Sequence, residues 1–228
     1  MSRIVEVTGL RYTFEDGTEA LRGVDFTLEA GATVALLGAN GSGKTTFALH
    51  LNGLLRPSRG KVLINGVELT DRELPSIRRK VGLVFQDSDN QLFMPTALED
   101  VAFAPLAAGM SPEAAAIKAT EALRQVGMEN KGAKAPWHLS SGEKKRVAIA
   151  GILASDPRLL VLDEPTTFLD PPGQRALAAL LSGLPQAKIL ITHDVAFART
   201  LASEAVFFQD GKIVARGPVD QIVKQFDW

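Results

Sequence analysis

A chain of 228 residues has room for one large domain or two small ones, and 46% hydrophobic with 22% charged residues is an ordinary globular balance. The formal net charge is −1, from 25 basic and 26 acidic residues, with no basic stripe, which argues against a nucleic-acid binder. The absence of cysteine excludes a disulfide framework and any cysteine-ligated metal, and suits a reducing compartment.

The first residues, Met1 to Glu6, lack the apolar core of a signal peptide. No apolar run approaches the roughly 20 residues needed to cross a bilayer. A role at a membrane therefore requires another subunit.

Ile4, Val5 and Val7 open a strand. Val24, Phe26 and Leu28 alternate with Asp25, Thr27 and Glu29, as a half-buried strand should. Thr33 to Leu37 is an apolar run ending at Gly38, which suits a parallel strand covered on both faces. A helix is predicted from Gly43 to about Leu55, a hairpin turn at Asn65-Gly66 and a strand over Val81 to Phe85. The alanine-rich stretch from Thr96 to about Val126 is helical in character, and Ser111-Pro112-Glu113 is a capped helix start. Another helix is expected from Ser141 to Ala154. Strand character returns at Leu159 to Leu162 and Lys188 to Thr192, and Asp210-Gly211 separates two further strands. The pattern is an α/β core interrupted by a helical insert.

Gly38-Ala39-Asn40-Gly41-Ser42-Gly43-Lys44-Thr45 satisfies every specified position of a phosphate loop, between an apolar strand and a helix. Glycines let the backbone turn tightly and aim N–H groups inward, and the helix N-terminus adds partial positive charge. Lys44 can neutralise β- and γ-phosphate oxygens, and the Thr45 hydroxyl can ligate Mg²⁺, which prefers oxygen donors. The loop alone says that a nucleoside triphosphate binds. Leu159 to Leu162 are four apolar residues followed by Asp163 and Glu164. A carboxylate at the end of a buried strand beside a phosphate loop can hold Mg²⁺, directly or through water. Glu164, one residue on, can orient or deprotonate the attacking water.

Leu139-Ser140-Ser141-Gly142-Glu143-Lys144-Lys145-Arg146 resembles the signature of ATP-binding-cassette (ABC) proteins, a Leu-Ser-Gly-Gly-Gln run that opens a helix. Ser141 stands where the family has glycine and Glu143 where it has glutamine, while Ser140 and Gly142 are kept. From the residues alone, this is a capped helix start with a basic face.

The resemblance continues in the family's order. It implies that Gln86 is the Q-loop glutamine, a reporter of Mg²⁺ and attacking water. Phe168-Leu169-Asp170 resembles the D-loop, with Asp170 at a dimer interface, and His193 resembles the switch histidine that touches the γ-phosphate. The phosphate-loop contacts implied are Gly38, Asn40, Gly41, Ser42, Gly43, Lys44, Thr45 and Thr46. The metal set implied is Thr45, Gln86 and Asp163, and the catalytic set implied is Glu164, His193, Gln86 and Lys44. An aromatic before the loop stacks on adenine in the family; Phe14 is the better match, and Tyr12, on the same strand face, is the other candidate.

The implied fold is α/β: a phosphate-loop NTPase (RecA-like) core with an N-terminal antiparallel β subdomain and an inserted helical subdomain. The whole chain, 1–228, is expected to be one nucleotide-binding domain, with 1–87 and 158–228 as core and 88–157 as the helical subdomain. The cofactors implied are ATP and Mg²⁺. The resemblance implies that the signature residues Ser140, Ser141, Gly142 and Glu143 meet ATP held by a second copy or a homologous cassette, so that two ATP molecules are sandwiched in a head-to-tail dimer.

Gln86 to Phe93, which reads Gln-Asp-Ser-Asp-Asn-Gln-Leu-Phe, is similar to the ATPases of energy-coupling-factor importers, which take up vitamins, or cobalt and nickel ions. That resemblance implies a transmembrane coupling subunit, a small substrate-binding membrane subunit, no nucleic acid, and a peripheral place on the cytoplasmic face of the membrane. Many relatives carry an added C-terminal domain, for which no room is expected before Trp228; biotin fits such a compact ATPase, with cobalt or nickel close behind. The alternatives are an ATPase of another transporter type and a soluble nucleotide-dependent regulatory module.

Overall fold

The computed structural model describes residues 2–88 and 91–228. Asp89 and Asn90, from the run that resembles importer ATPases, lie outside the described residues. The chain divides into two compact units. The first comprises Met1–Leu83, Arg158–Glu164 and Pro185–Trp228; the second comprises Val84–Pro157 and Pro165–Leu184. The sequence reading places residues 165–184 with the core, whereas by packing they group with the helical insert.

In the first unit, β1 (Arg3–Thr13), β2 (Glu19–Glu29), β4 (Arg59–Ile64) and β5 (Val67–Glu68) form an antiparallel sheet in the order β2-β1-β4-β5. The alternation expected around Val24 to Leu28 is seen: Val24, Phe26 and Leu28 are buried and Asp25 is exposed. Asn65 and Gly66 both take positive φ, 49° and 74°, the two-residue hairpin geometry that asparagine and glycine favour.

The second sheet of this unit has the order β10-β9-β3-β8-β7-β6, from β3 (Thr33–Leu37), β6 (Val81–Val84), β7 (Leu159–Asp163), β8 (Ala187–Ile191), β9 (Glu204–Gln209) and β10 (Lys212–Pro218). β3 pairs in parallel with both β8 and β9, and β7 with β8, while β10 returns antiparallel to β9. Every residue of β7 and β8 is buried, which explains why these strands read as unbroken apolar runs. β6 ends at Val84, one residue earlier than predicted.

The helix after the phosphate loop, α1 (Lys44–Leu51), ends four residues before its sequence prediction. Asn52 closes it, and Gly53 follows with φ 70°, a left-handed conformation that ends helices and suits glycine. Phe47, fully buried on α1, meets Phe26 of β2 at 5.3 Å and Phe208 of β9 at 5.5 Å between ring centroids. One side chain thus ties the phosphate-loop helix to both sheets. The short helix α2 (Leu74–Lys80) precedes β6, α7 (Val195–Leu201) follows β8, and α8 (Val219–Phe226) closes the unit. α8 docks through Phe226, whose ring stacks on Phe207 at 3.9 Å.

The second unit is helical: α3 (Ala97–Ala107), α4 (Pro112–Gln125), α5 (Ser141–Leu153) and α6 (Pro171–Gly183). Thr96, Ser111, Ser140 and Asp170 are the N-caps, each side chain accepting from the backbone N–H three residues on. Gly109, with φ 89°, separates α3 from α4 inside the alanine-rich stretch. Among the described residues, no helix is long and apolar enough to cross a membrane.

Candidate functional site: a phosphate loop and its acids

The phosphate loop leaves the buried end of β3 and enters α1 at Lys44. Gly38, Gly41 and Gly43 take φ of 130°, 77° and 108°, values that residues with a side chain rarely adopt. A Cβ on Gly38 would lie 2.1 Å from the Phe208 carbonyl oxygen, and one on Gly43 would lie 2.8 Å from that of Ala20. Two of the three glycines are therefore demanded twice, by conformation and by neighbouring backbone.

Lys44 is buried and folds back over the loop, its Nζ donating to the Gly38 carbonyl at 2.5 Å and the Ala39 carbonyl at 2.9 Å. Burial lowers its pKa, and the nearby Glu164 and Asp163 carboxylates act in the opposite direction. The ammonium thus sits within the turn of backbone that would cradle phosphates, held by carbonyls that an anionic ligand would replace. Thr46 follows in the first turn, and its carbonyl accepts a hydrogen bond from His50 Nδ1 at 2.7 Å.

Thr45 Oγ1 donates to Asp163 Oδ2 at 2.9 Å, joining residues 118 positions apart at the ends of α1 and β7. Asp163 is buried. This hydroxyl–carboxylate pair is an all-oxygen donor set matched to a hard cation such as Mg²⁺. Among the described residues, no cluster of three or more His, Asp or Glu side chains could hold an ion alone, so a metal here would need further oxygen donors, from water or a ligand's phosphates. The residues present fit that shared mode of binding.

Glu164 departs from regular backbone: its φ is 46°, and its N–H donates to the Ile191 carbonyl at 2.8 Å. A glutamate held in the left-handed region is uncommon, and such conformations gather at functional sites. The turn places Glu164 Oε2 2.8 Å from His193 Nδ1 and 3.4 Å from the His193 backbone nitrogen. His193 emerges past the end of β8, the strand next to β7, which is why residues far apart in sequence meet. Glu164 is mostly shielded, with 13% of its side chain exposed, whereas His193 is 71% exposed and open to a ligand.

The two aromatic candidates differ from expectation. β1 ends at Thr13, so Phe14 does not share a strand face with Tyr12. It opens the following turn instead, where its N–H donates to the Thr18 carbonyl and its carbonyl accepts from Gly17. Phe14 is exposed, and its ring meets Tyr12 edge-to-face at 4.9 Å. Tyr12 in turn lies edge-on to His50 of α1, at 4.8 Å. Of the two rings, Phe14 is the exposed one and Tyr12 is half-buried.

The second unit holds Gln86, the signature residues and Asp170. Ser140 caps α5, and the cap is reciprocal: Glu143 N–H donates to Ser140 Oγ at 3.3 Å, and Ser140 N–H donates to Glu143 Oε2 at 2.9 Å. Glu143 also pairs with Lys131 at 3.0 Å. The Ser140 N–H, then Lys131, hold the Glu143 carboxyl below the usual carboxylate range. Glutamate in place of glutamine therefore keeps the cap and adds an ion pair. Ser141 is exposed, and the Leu169 side chain lies 3.7 Å from where a Cβ on Gly142 would be. Asp170 caps α6 through Gly173 N–H at 2.9 Å. Gln86 is exposed just past β6.

One residue of this unit escaped the sequence reading. Lys145 is buried, and its Nζ donates to the backbone carbonyls of Phe85 at 3.2 Å and Gln86 at 2.8 Å. It ties the signature helix to the backbone of the Q-loop candidate. Within Lys144-Lys145-Arg146 it reads as part of a solvated basic face. The available signal was helical spacing: Lys145 is three and four residues before Ala148 and Ile149, both buried. His50, also missed, is a fully buried histidine inside α1.

Residues 21–167 match the ABC transporter family. The chain is 46% identical, over 227 residues, to the energy-coupling factor transporter ATP-binding protein EcfA of Methanosphaera stadtmanae, covering 97% of this chain and 82% of that protein. Its structure is similar to that of cbiO1 from Clostridium perfringens, part of the ABC transporter complex cbiONQ, with a TM-score of 0.89, 33% identity and coverage of 100% and 93% of the two chains. It is also similar to a dimeric ATP-binding cassette in a post-hydrolysis state bound to ADP and Pi, with a TM-score of 0.84, 31% identity and coverage of 94% and 98%. With a phosphate loop at Gly38 to Thr45 after β3 and two acids at the end of β7, the next strand but one, the chain belongs to the ABC transporter family and is an ATP-binding ATPase subunit.

Proposed function

We propose that this chain energises an importer of the energy-coupling-factor type by binding and hydrolysing ATP with Mg²⁺, as one of two cassettes in a head-to-tail dimer. The observation that carries the ATPase chemistry is the Thr45–Asp163 bond beside the Glu164–His193 pair, which puts a hydroxyl, two carboxylates and an imidazole around one phosphate loop. The EcfA relative and the cbiONQ component support the importer reading.

In this reading the backbone N–H groups of Gly41 to Thr46 and the Lys44 ammonium bind the phosphates, and Phe14, backed by Tyr12, stacks on adenine. Thr45 and Asp163 would hold Mg²⁺, which neutralises charge developing on the phosphates. Glu164 takes the proton of the attacking water, and His193 orients Glu164 and contacts the γ-phosphate. The roles of Gln86 as a reporter of metal and water, and of Ser140, Ser141, Gly142 and Glu143 as contacts to ATP held by a second copy, rest on motif resemblance, as does that of Asp170 in the dimer. A two-fold dimer would give both cassettes equal sites. Its closing and opening is a two-state change that a membrane partner can use. The partners proposed are a transmembrane coupling subunit and a small substrate-binding membrane protein, with this chain peripheral on the cytoplasmic face. A vitamin such as biotin, or cobalt or nickel, is the proposed cargo.

The test is capture of the tagged chain from native membranes, with mass spectrometry of what accompanies it. Co-recovery of a coupling subunit and a small membrane protein is expected, and the ligand of the small protein names the cargo. Recovery of two multi-spanning exporter-type subunits, or of no membrane protein at all, would overturn the importer reading and leave the ATPase assignment standing.

A further inference from the structure

Three stretches of backbone converge on the outer side of the phosphate loop: the start of β2, the loop itself and the hairpin turn between β9 and β10. The turn is Asp210-Gly211, with φ of 48° and 75°. Gly211 is buried, and its N–H donates to the Ser42 carbonyl at 3.0 Å, while its own carbonyl accepts from Arg22 N–H at 2.8 Å. A Cβ on Gly211 would lie 2.7 Å from the Ala20 carbonyl oxygen, the same oxygen that excludes a Cβ on Gly43 at 2.8 Å. The Gly211 Cα is itself 3.5 Å from that Gly43 position. Only glycine on both sides permits this approach.

The consequence lies in one peptide plane. The Ser42 carbonyl and the Gly43 N–H belong to the same planar, trans unit, so they point in opposite directions. With the carbonyl drawn toward Gly211, the Gly43 N–H points away from the turn. Gly43 has φ 108° and caps α1, so little else in its own conformational preference holds that plane.

We infer that Gly211 is a positioning residue for nucleotide binding: its N–H clamps the Ser42–Gly43 peptide so that the loop presents its donors to phosphate. The inference rests on the phosphate-loop reading above. It predicts that the clamp acts on phosphate affinity rather than only on the stability of the hairpin.

The decisive experiment replaces the one N–H by an ester oxygen, a change that also weakens the carbonyl of the preceding residue, so a second ester in the same hairpin serves as the control. The sequence has no cysteine, so residues 205–228 can be joined by ligation at a cysteine in place of Ala205 and desulfurised back to alanine. Three full-length chains are compared by calorimetric titration with Mg·ADP: all-amide, backbone ester at Gly211, and backbone ester at Lys212, which pairs with Gln209 inside the hairpin. Loss of one hydrogen bond should weaken ADP binding about three- to tenfold at Gly211 and less than about twofold at Lys212. Equal weakening by both esters, or none at Gly211, overturns the inference. Recombinant Gly211→Ala gives a second reading that needs no refolding: about tenfold or greater loss of ADP affinity is expected with native circular dichroism, and affinity within about twofold of the parent would sink the proposal. Failure of the all-amide chain itself to bind ADP would instead remove the phosphate-loop reading.

Discussion

The Glu164 carboxylate is held 2.8 Å from His193 Nδ1, and a second contact of 3.4 Å reaches it from the His193 backbone. Two residues 29 positions apart are joined because β7 and β8 are neighbours in a parallel sheet and each ends at the same edge. The carboxylate is therefore oriented before any substrate arrives, which is what a base acting on water requires. Glu164→Gln keeps the shape and the hydrogen-bonding capacity toward His193 but removes the proton acceptor. Steady-state ATP hydrolysis should fall about 10²- to 10⁴-fold while ATP binding, measured by equilibrium dialysis, stays within about twofold of the parent. Hydrolysis at the parental rate would remove Glu164 from the base role.

Lys145 is a cation with almost no exposure that satisfies two backbone carbonyls. Lys145→Met fills the same volume and leaves those carbonyls with less. The expected loss is about 1–3 kcal/mol of stability in denaturant melts. A variant as stable as the parent would show that the carbonyls find other partners without strain. Lys145→Arg, which keeps the donors, should recover part of the loss.

His50 makes stability depend on pH. Burial lowers its pKa, with the Thr46 carbonyl pulling the other way, so it folds as the neutral imidazole with Nδ1 carrying the proton. The unfolded chain, with an ordinary histidine pKa of about 6.5, binds more protons than the folded one as pH falls below that value. Stability from this residue is therefore fully present above about pH 6.5 and is lost as pH drops toward the folded pKa. The midpoint of thermal unfolding, followed from pH 8 to pH 5, should fall less steeply for His50→Leu than for the parent. Parallel curves would show that His50 does not govern the acid limb.

Phe47 carries the packing between the phosphate-loop helix and the two sheets. Phe47→Ala should destabilise the chain by about 3–5 kcal/mol, from lost burial and the cavity left behind. Saturating Mg·ATP should restore part of the lost melting temperature, because a ligand of the folded state shifts the unfolding equilibrium.

Local chemistry carried most of the reading. The phosphate loop needs glycines at positions of positive φ, and Gly38, Gly41 and Gly43 stand there. The strand ending in Asp163 and Glu164 is apolar because β7 is buried on both faces. The caps at Ser111 and Ser140 stand just before the helices they close. These features depend on a few neighbouring residues, so their spacing is enough to identify them. The end of α1 was harder: Leu54 and Leu55 continue the apolar pattern, and only the left-handed Gly53 shows where the helix stops.

What the sequence by itself determined was the set of chemical parts: the loop, the two acids, the signature cap and the histidine after β8. Only the tertiary structure decided which parts touch. Thr45 meets Asp163 across 118 positions, Glu164 meets His193 across 29, and Gly211 reaches back to Ser42. Lys145 lies inside the fold although its neighbours in the chain mark it as surface, and Phe14 stands in a turn although it is two residues from Tyr12. The reason is physical. Spacing along a chain fixes the direction of a side chain within one helix or strand, whereas contact between elements depends on sheet order and register, which long-range backbone hydrogen bonds and core packing set together.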